Sequence, residues 1–153
     1  MKTHHKYTYI KYIVIVLIAV CTQHVQAQQP TSLLQHVIQE RPLLADLLTK
    51  AGLAPMLSAD APVTLLAPPE AELESIMQEQ PERLRAILSN HILSGTYKEG
   101  DMKDGATLKT VGGTGITICR KTDHTLVNGV RIQQPDQQLK NGMLHGISGL
   151  IQM

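Results

Sequence analysis

The sequence of 153 residues has no phenylalanine and no tryptophan, and only four tyrosines. Tyr7, Tyr9 and Tyr12 stand close to the start, so Tyr97 is the sole aromatic of the rest. A core without aromatic rings must be built from Leu, Ile, Val, Ala and Met. Sugar binding by stacking on aromatic faces has one candidate side chain to work with. Two cysteines, Cys21 and Cys119, are too few for a disulfide framework. Neither sign of charge dominates, with 14 basic and 13 acidic residues. No basic patch supports nucleic-acid binding.

A long hydrophobic run is also missing. Residues 13–21 are apolar but too few to cross a bilayer, which takes about 20 residues as a helix. Lys2, Lys6 and Lys11 precede them, and Val25-Gln26-Ala27 presents small residues where a signal peptidase reads. This pattern predicts a secretory signal peptide over residues 1–27, cleaved after Ala27, followed by one domain over 28–153. The alternative is a lipoprotein anchored at Cys21, for which Val20 is a poor preceding residue. Membrane attachment is expected only in that case. Cleavage after Ala27 leaves 11 basic against 13 acidic residues, a net charge of −2. It also leaves Cys119 without an intramolecular partner, and its place in Ile116-Thr117-Ile118-Cys119 predicts a small buried apolar side chain.

What is present is organised around residues 63–73, Val-Thr-Leu-Leu-Ala-Pro-Pro-Glu-Ala-Glu-Leu. Residues 63–67 are apolar on both faces apart from Thr64, as in a strand covered on both sides. Pro68 forces Ala67 into an extended conformation, and the preset φ of Pro69 predicts a first helical turn there. Glu70, Glu72 and Glu74 follow, near the positive end of the helix dipole.

Before this corner, Ser32 is a candidate N-cap for a helix carrying Leu33, Leu34, Val37 and Ile38. Arg41-Pro42 breaks it and begins another helix, with Leu43, Leu44, Leu47, Leu48 and Ala51 on one stripe and Gly52 as its stop. Residues 53–61 read as a connector with at most one helical turn. After the corner the helix extends to about Gln80, and Pro81 starts the next, with Leu84, Ile87 and Leu88 inward. The chain then becomes β-rich. Residues 107–111 and 115–121 read as strands joined at Gly112-Gly113. Asn128-Gly129 predicts a tight hairpin between residues 126–127 and 130–132. Residues 143–153 read as a last extended stretch. Helices first and hairpins second predict the α+β class.

Three segments together resemble the fasciclin-like (FAS1) domain family. The first is Thr64-Leu65-Leu66-Ala67-Pro68 leading into a helix, similar to a signature in which Thr, Val or Ile, and Phe precede Ala-Pro. The second is residues 87–95, containing Asn90-His91 and ending in Ser94-Gly95, similar to a Tyr-His segment ending in Pro-Gly. The third is Asn141-Gly142-Met143-Leu144-His145-Gly146-Ile147-Ser148, similar to a closing Asn-Gly-x-Ile-His-x-Ile-Asp segment. Val127-Asn128-Gly129-Val130 falls where the family has its central strands. The sequence departs at Leu66 for Phe, at Pro69-Glu70 for a polar capping pair, at Asn90 for Tyr and at Ser148 for Asp. The resemblance implies a β-wedge or sandwich with N-terminal helices packed along one side. It also implies an extracellular adhesion or binding module, generally without catalysis. The adhesive role of Tyr-His segments is not carried over, because the tyrosine is Asn90.

The positions expected to carry the fold are Thr64, Ala67, Pro68, His91, Gly95, Asn128, Gly129, Asn141, Gly142 and His145. His91 and His145 could be read as metal ligands or an acid–base pair. The structural reading is preferred: no second ligand stands at a useful spacing, and the ring nitrogens are expected on backbone groups or on Thr64. His36 and His124 are read as isolated and exposed. Residues 145–149 do not match a Gly-x-Ser-x-Gly elbow. Gly112-Gly113-Thr114-Gly115 lacks the Lys and the helix of a phosphate loop. The glutamates 70, 72, 74 and 79 form a solvated face, and Asp101 with Asp104 is too little for calcium.

No catalytic residue, metal or cofactor is therefore expected. The leading expectation is an exported, non-enzymatic module for adhesion to an extracellular or envelope protein or a matrix component. A second is a carrier of a small apolar pigment or lipid, with Met56, Met77, Met102 and Met143 lining a groove. Carbohydrate binding is a third, disfavoured by the want of aromatic side chains.

Overall fold

The computed structural model describes residues 31–152. The expected processing sites at Ala27 and Cys21 lie outside the described residues. Helices α1 (Leu33–Glu40), α2 (Pro42–Lys50) and α3 (Ala54–Ser58) come first. Strand β1 (Val63–Ala67) leads into α4 (Glu70–Ile76) and α5 (Pro81–Ser89). Then follow β2 (Ile92–Ser94), a 3-10 turn (Glu99–Asp101), β3 (Thr107–Lys109), β4 (Gly115–Arg120), β5 (Thr125–Val127), β6 (Val130–Leu139) and β7 (Gly142–Ile147). The architecture is α+β, as the order of patterns predicts.

The local chemistry sets the helix ends. Ser32 Oγ accepts from the Gln35 nitrogen at 3.3 Å and caps α1. Pro42 and Pro81 occupy the first turns of α2 and α5. Gly52, at φ 68°, closes α2 while the Leu53 nitrogen donates to the Leu48 carbonyl at 2.8 Å. Pro69 departs from its expected place. It has φ −67° but ψ 156°, so it is the N-cap of α4 and not its first helical residue. A proline fixes φ only, and the chain still has to turn the corner at ψ. The Pro69 carbonyl accepts from Glu72 and Leu73, and no side chain caps this end. The helix also stops at Ile76, short of Gln80.

The seven strands form one mixed sheet in the order β2-β1-β7-β6-β5-β4-β3. The β1–β7 pair is parallel and the others are antiparallel. The sheet curls until its ends touch. Leu93 bridges to Thr110, and the Val111 nitrogen donates to the Ile92 carbonyl at 2.9 Å. Val111 thus lies beyond β3, in the loop that crosses to β2. The β5–β6 turn has Asn128 at φ 51° and Gly129 at φ 86°, the paired positive φ of a two-residue hairpin.

Strand β1 divides the interior. Val63, Leu65 and Ala67 belong to a core shared with all five helices, with Ile92 and with Leu144. Leu66 faces a second core of Leu93, Met102, Ile116, Ile118, Val127, Ile132, Ile147 and Ile151. Every residue of β1 is buried, as a strand covered on both sides requires.

Three expectations fail here. Strand β6 runs on through Gln133-Gln134-Pro135-Asp136-Gln137-Gln138 to Leu139, a polar stretch with a proline that does not read as a strand. It pairs with β7 across register shifts on either side of Gln134, and Asp136 sits at φ 60°. Proline is tolerated at such a bulge because the ladder is already interrupted. The last extended stretch ends at Ile147. Cys119 is half-buried, on the outer face of β4 opposite Leu126, because alternation turns Ile116 and Ile118 inward instead.

Candidate functional site

The residues singled out by sequence gather into a set of polar nodes that tie separate elements together. Thr64 points from β1 into the second core and is fully buried. Its hydroxyl donates to the Gly95 carbonyl at 2.8 Å and accepts from the Tyr97 nitrogen at 2.9 Å. Gly95 itself, at φ 110°, donates to the Pro62 carbonyl. The turn after β2 is therefore held to β1 at both ends.

His145 stands beside Leu66 in the β1–β7 register and is fully buried. Its Nε2 lies 2.8 Å from the Tyr97 carbonyl, which can only accept, so Nε2 carries the proton. Its Nδ1 accepts from the Asp136 nitrogen at 3.0 Å. The Tyr97 peptide thus links Thr64 to His145, nitrogen to one and carbonyl to the other. Thr64 therefore meets the His91 segment directly at Gly95 and reaches His145 only through this peptide, and neither ring bonds Thr64 itself. Asp136 completes the node: its Oδ1 accepts from the Glu99 nitrogen at 2.7 Å and lies 3.9 Å from His145 Nδ1.

His91 uses the opposite tautomer. Nδ1 donates to the Ile87 carbonyl at 3.0 Å, and Nε2 accepts from the Ile151 nitrogen at 3.0 Å. The ring is 1% exposed. Burial holds its pKa down at about 4 from the usual 6.5, against a smaller upward pull from the Ile87 carbonyl. The two histidines share no hydrogen-bond partner among these contacts, and each has both nitrogens engaged with backbone.

Asn141 joins three elements. Its Oδ1 accepts from the Leu33 nitrogen at 2.8 Å, and its Nδ2 donates to the Leu57 and Ala59 carbonyls at 2.8 and 2.9 Å. Gly142 next to it packs so closely on β1 that a Cβ would collide with the Val63 carbonyl. The Pro68 carbonyl, beyond buried Ala67, accepts from Arg41 Nη1 at 3.1 Å. Asn128 and Gly129 form the hairpin turn, and Asn128 Nδ2 donates to the Gln152 carbonyl at 3.2 Å.

The remaining candidates have local partners. Ser148 Oγ accepts from the Arg131 nitrogen at 3.1 Å, where β7 leaves β6. Asp104 Oδ1 accepts from the Arg120 nitrogen at 2.8 Å. His36 and His124 are neither isolated nor fully exposed. Gln137 Nε2 donates to His36 Nε2 at 3.0 Å, and His124 Nδ1 donates to Asp123 Oδ1 at 2.7 Å. Both rings are half-buried. The methionines do not line a common groove: Met102 and Met143 are buried, and Met77 is exposed. Among the described residues no group of three or more His, Cys, Asp or Glu could hold a metal ion.

Sequence reading missed Asp136, Arg41 and the Asn90 contact. Asn90 Oδ1 accepts from Thr114 Oγ1 at 2.7 Å, tying α5 to the β3–β4 loop. The Pro135-Asp136 dipeptide inside an otherwise extended run was the available signal for the bulge.

Surface grooves accompany these nodes, and two of them differ sharply in character. One, of about 400 Å³, is almost wholly apolar and is lined by Pro55, Met56, Pro62, Val63 and Val111 among others. The other, of about 540 Å³, is polar and lined by His36, Glu40, Arg41, Glu70, Gln134 and Gln137.

Residues 39–153 match the sequence model of the fasciclin domain, and the chain belongs to the fasciclin domain family. It is 33% identical over 109 residues to transforming growth factor-beta-induced protein ig-h3 of Sus scrofa, which covers 66% of this chain but only 16% of that protein. It is 29% identical over 119 residues to the uncharacterized protein sll1735 of Synechocystis, covering 72% of this chain and 87% of the relative. The fold is similar to that of a FAS1 domain pair from the insect cell adhesion molecule fasciclin I. That likeness has a TM-score of 0.62 and 14% identity, over 80% of this chain and 51% of the insect one.

Proposed function

We propose that this chain is an exported, non-enzymatic fasciclin-like module that binds a protein or matrix component of the extracellular space or cell envelope. The carrying observation is the engagement of His91 and His145. Each is buried with both ring nitrogens on backbone groups, which leaves neither free to take a proton from a substrate or to ligate a metal. The family's histidines serve the fold here, and recognition falls to the surface. Membership of the fasciclin domain family, and the same fold in an insect cell adhesion molecule, support adhesion as that recognition. Export rests on the predicted signal peptide over residues 1–27, with lipid anchoring at Cys21 as the alternative. Among the described residues no helix is long and apolar enough to cross a membrane.

Beads coated with the native protein are expected to adhere to intact cells of its source, and beads coated with heat-unfolded protein are not. Equal adhesion of the two would overturn the reading. So would catalysis lost on substituting His145 or Ser148. Intact mass of the exported protein separates cleavage after Ala27 from lipidation of Cys21.

The apolar groove beside Met56 favours one further reading, a carrier of a small apolar molecule. Mass spectrometry of an organic extract of the purified protein tests it. An empty extract from protein isolated from its own source counts against it.

A further inference from the structure

We propose that residues 148–152, which follow β7, form a strap latched to the core by the imidazole of His91, and that protonation of this ring unfastens the strap while the sheet stays folded. The latch is the buried hydrogen bond from the Ile151 nitrogen to His91 Nε2, 3.0 Å long and closing 60 residues of sequence. Because Nδ1 donates to the Ile87 carbonyl, Nε2 is free of a proton and can accept. A proton added at Nε2 would face the Ile151 N–H, donor against donor, in a site closed to water.

The strap has few other anchors. The Ser148 nitrogen donates to the Arg131 carbonyl at 2.9 Å, and Ser148 Oγ accepts from the Arg131 nitrogen at 3.1 Å. Beyond Ser148 stand the half-buried Leu150 against the helix-side core, the buried Ile151 side chain, and the exposed bond from Asn128 Nδ2 to the Gln152 carbonyl. Short segments with few buried contacts open before the rest of a domain.

No charged side chain accounts for the ring's titration. Strands β1 and β2 carry no titratable residue. On β7 there is His145, occupied with Tyr97 and Asp136. Glu72 of α4 and Glu79 of the turn after it line the open groove beside Ile151, and Arg83 of α5 pairs with Glu79 at 3.2 Å. Glu70, Glu74 and Glu82 are exposed, and Arg85 is bound to the Ala51 and Gly52 carbonyls. Arg131 of β6 faces Asp123 at 3.9 Å. What acts on the ring is burial, then the Ile87 carbonyl. The closed ring protonates at about 4, and a ring released to water returns toward its ordinary 6.5. Opening is therefore favoured by up to about tenfold for each pH unit between these values.

Amide hydrogen exchange on the full chain, as protection factors corrected for intrinsic rates, tests this at pH 7.5 and 4.5. Protection at Ile151 is expected to fall at least about tenfold between pH 7.5 and 4.5. At both it is expected to stay well below that at Leu65 and Leu144 of β1 and β7 and to depend little on added urea. Global unfolding releases the same ring but exposes far more surface. In His91→Gln the side-chain amide can donate to Ile87 and accept from Ile151 without titrating, and the pH-dependent fall at Ile151 is expected to shrink at least about tenfold. Protection and urea dependence at Ile151 equal to those at Leu65 and Leu144, or no fall with pH, would overturn the proposal. So would a folded His91→Gln variant with the same pH dependence. If that variant does not fold, the titration of the wild-type His91 ring by NMR decides. It must coincide with the loss at Ile151, and a ring that titrates while Ile151 stays protected refutes the latch.

Discussion

The hydroxyl of Thr64 and the backbone nitrogen of Tyr97 are 2.9 Å apart across 33 residues of sequence, and the same hydroxyl donates to Gly95. One small, fully buried side chain thereby serves as both acceptor and donor. Thr64→Val keeps the shape and removes both bonds, leaving the Tyr97 N–H and the Gly95 carbonyl unpaired. Each such group costs about 1–3 kcal/mol when buried. A loss of about 2–3 kcal/mol in urea unfolding is expected, with Thr64→Ser retaining most of the stability. An unchanged midpoint for Thr64→Val would mean that these bonds contribute nothing.

Gly142 and Gly149 make a matched pair. A Cβ on Gly142 would run into the Val63 carbonyl, part of the parallel β1–β7 pairing, whereas a Cβ on Gly149 meets nothing within 4 Å. The backbone of β1 cannot give way without disturbing both cores. Gly142→Ala is expected to cost about 3 kcal/mol, the upper end for overpacking, and Gly149→Ala under about 0.5 kcal/mol. Thermal unfolding of the two variants side by side checks the contrast. Equal melting temperatures would refute it.

The same contrast shows what a sequence can and cannot announce. The β1–α4 corner was legible because prolines and a solid apolar run leave the backbone few options, and the Asn128-Gly129 hairpin because only a few residues accept paired positive φ. Strand β6 was not. Gln133 through Gln138 are neither alternating nor apolar, and their strand state comes from pairing with the buried strand β7 across a short turn, which their own side chains do not announce. Asp136 was missed because its contacts depend on tertiary placement: Glu99 is 37 residues away, and His145 is met only through the bulge in β6. Cys119 was misplaced because an apolar tetrapeptide conceals which face its alternate residues take. The helix after Pro69 was found one residue early, because a preset φ says nothing about ψ.

Stability should fall in mild acid, and His91 is the reason. In the unfolded chain its ring takes a proton near pH 6.5, and in the folded domain only near 4. Between these values the unfolded state binds more protons, so lowering the pH favours it. The contribution is whole above pH 6.5, declines as pH falls through the window, and levels off below 4 with about 3 kcal/mol lost. Urea titrations at pH 7.5 and 5 are expected to differ by about 2 kcal/mol from this group. His91→Gln is expected to flatten the difference. An equal slope in the variant would assign the acid sensitivity elsewhere.

Asn141 offers the sharpest test of a side chain used at both ends. Its carbonyl oxygen holds the first turn of α1 through Leu33, and its amide nitrogen holds the end of α3 through Leu57 and Ala59. Asn141→Ala removes all three bonds and is expected to cost about 2–4 kcal/mol, at roughly 1 kcal/mol each plus the unpaired groups. Asn141→Asp keeps size and the acceptor for Leu33 but sets a carboxylate oxygen against two carbonyls. If the donor end matters, Asn141→Asp at pH 7 is expected to be at least as damaging as the alanine variant, and to recover partly, relative to the parent at the same pH, as protonation of its disfavoured carboxylate sets in. An aspartate variant as stable as the parent would show that only the oxygen is used, and that α3 is held by its packing alone.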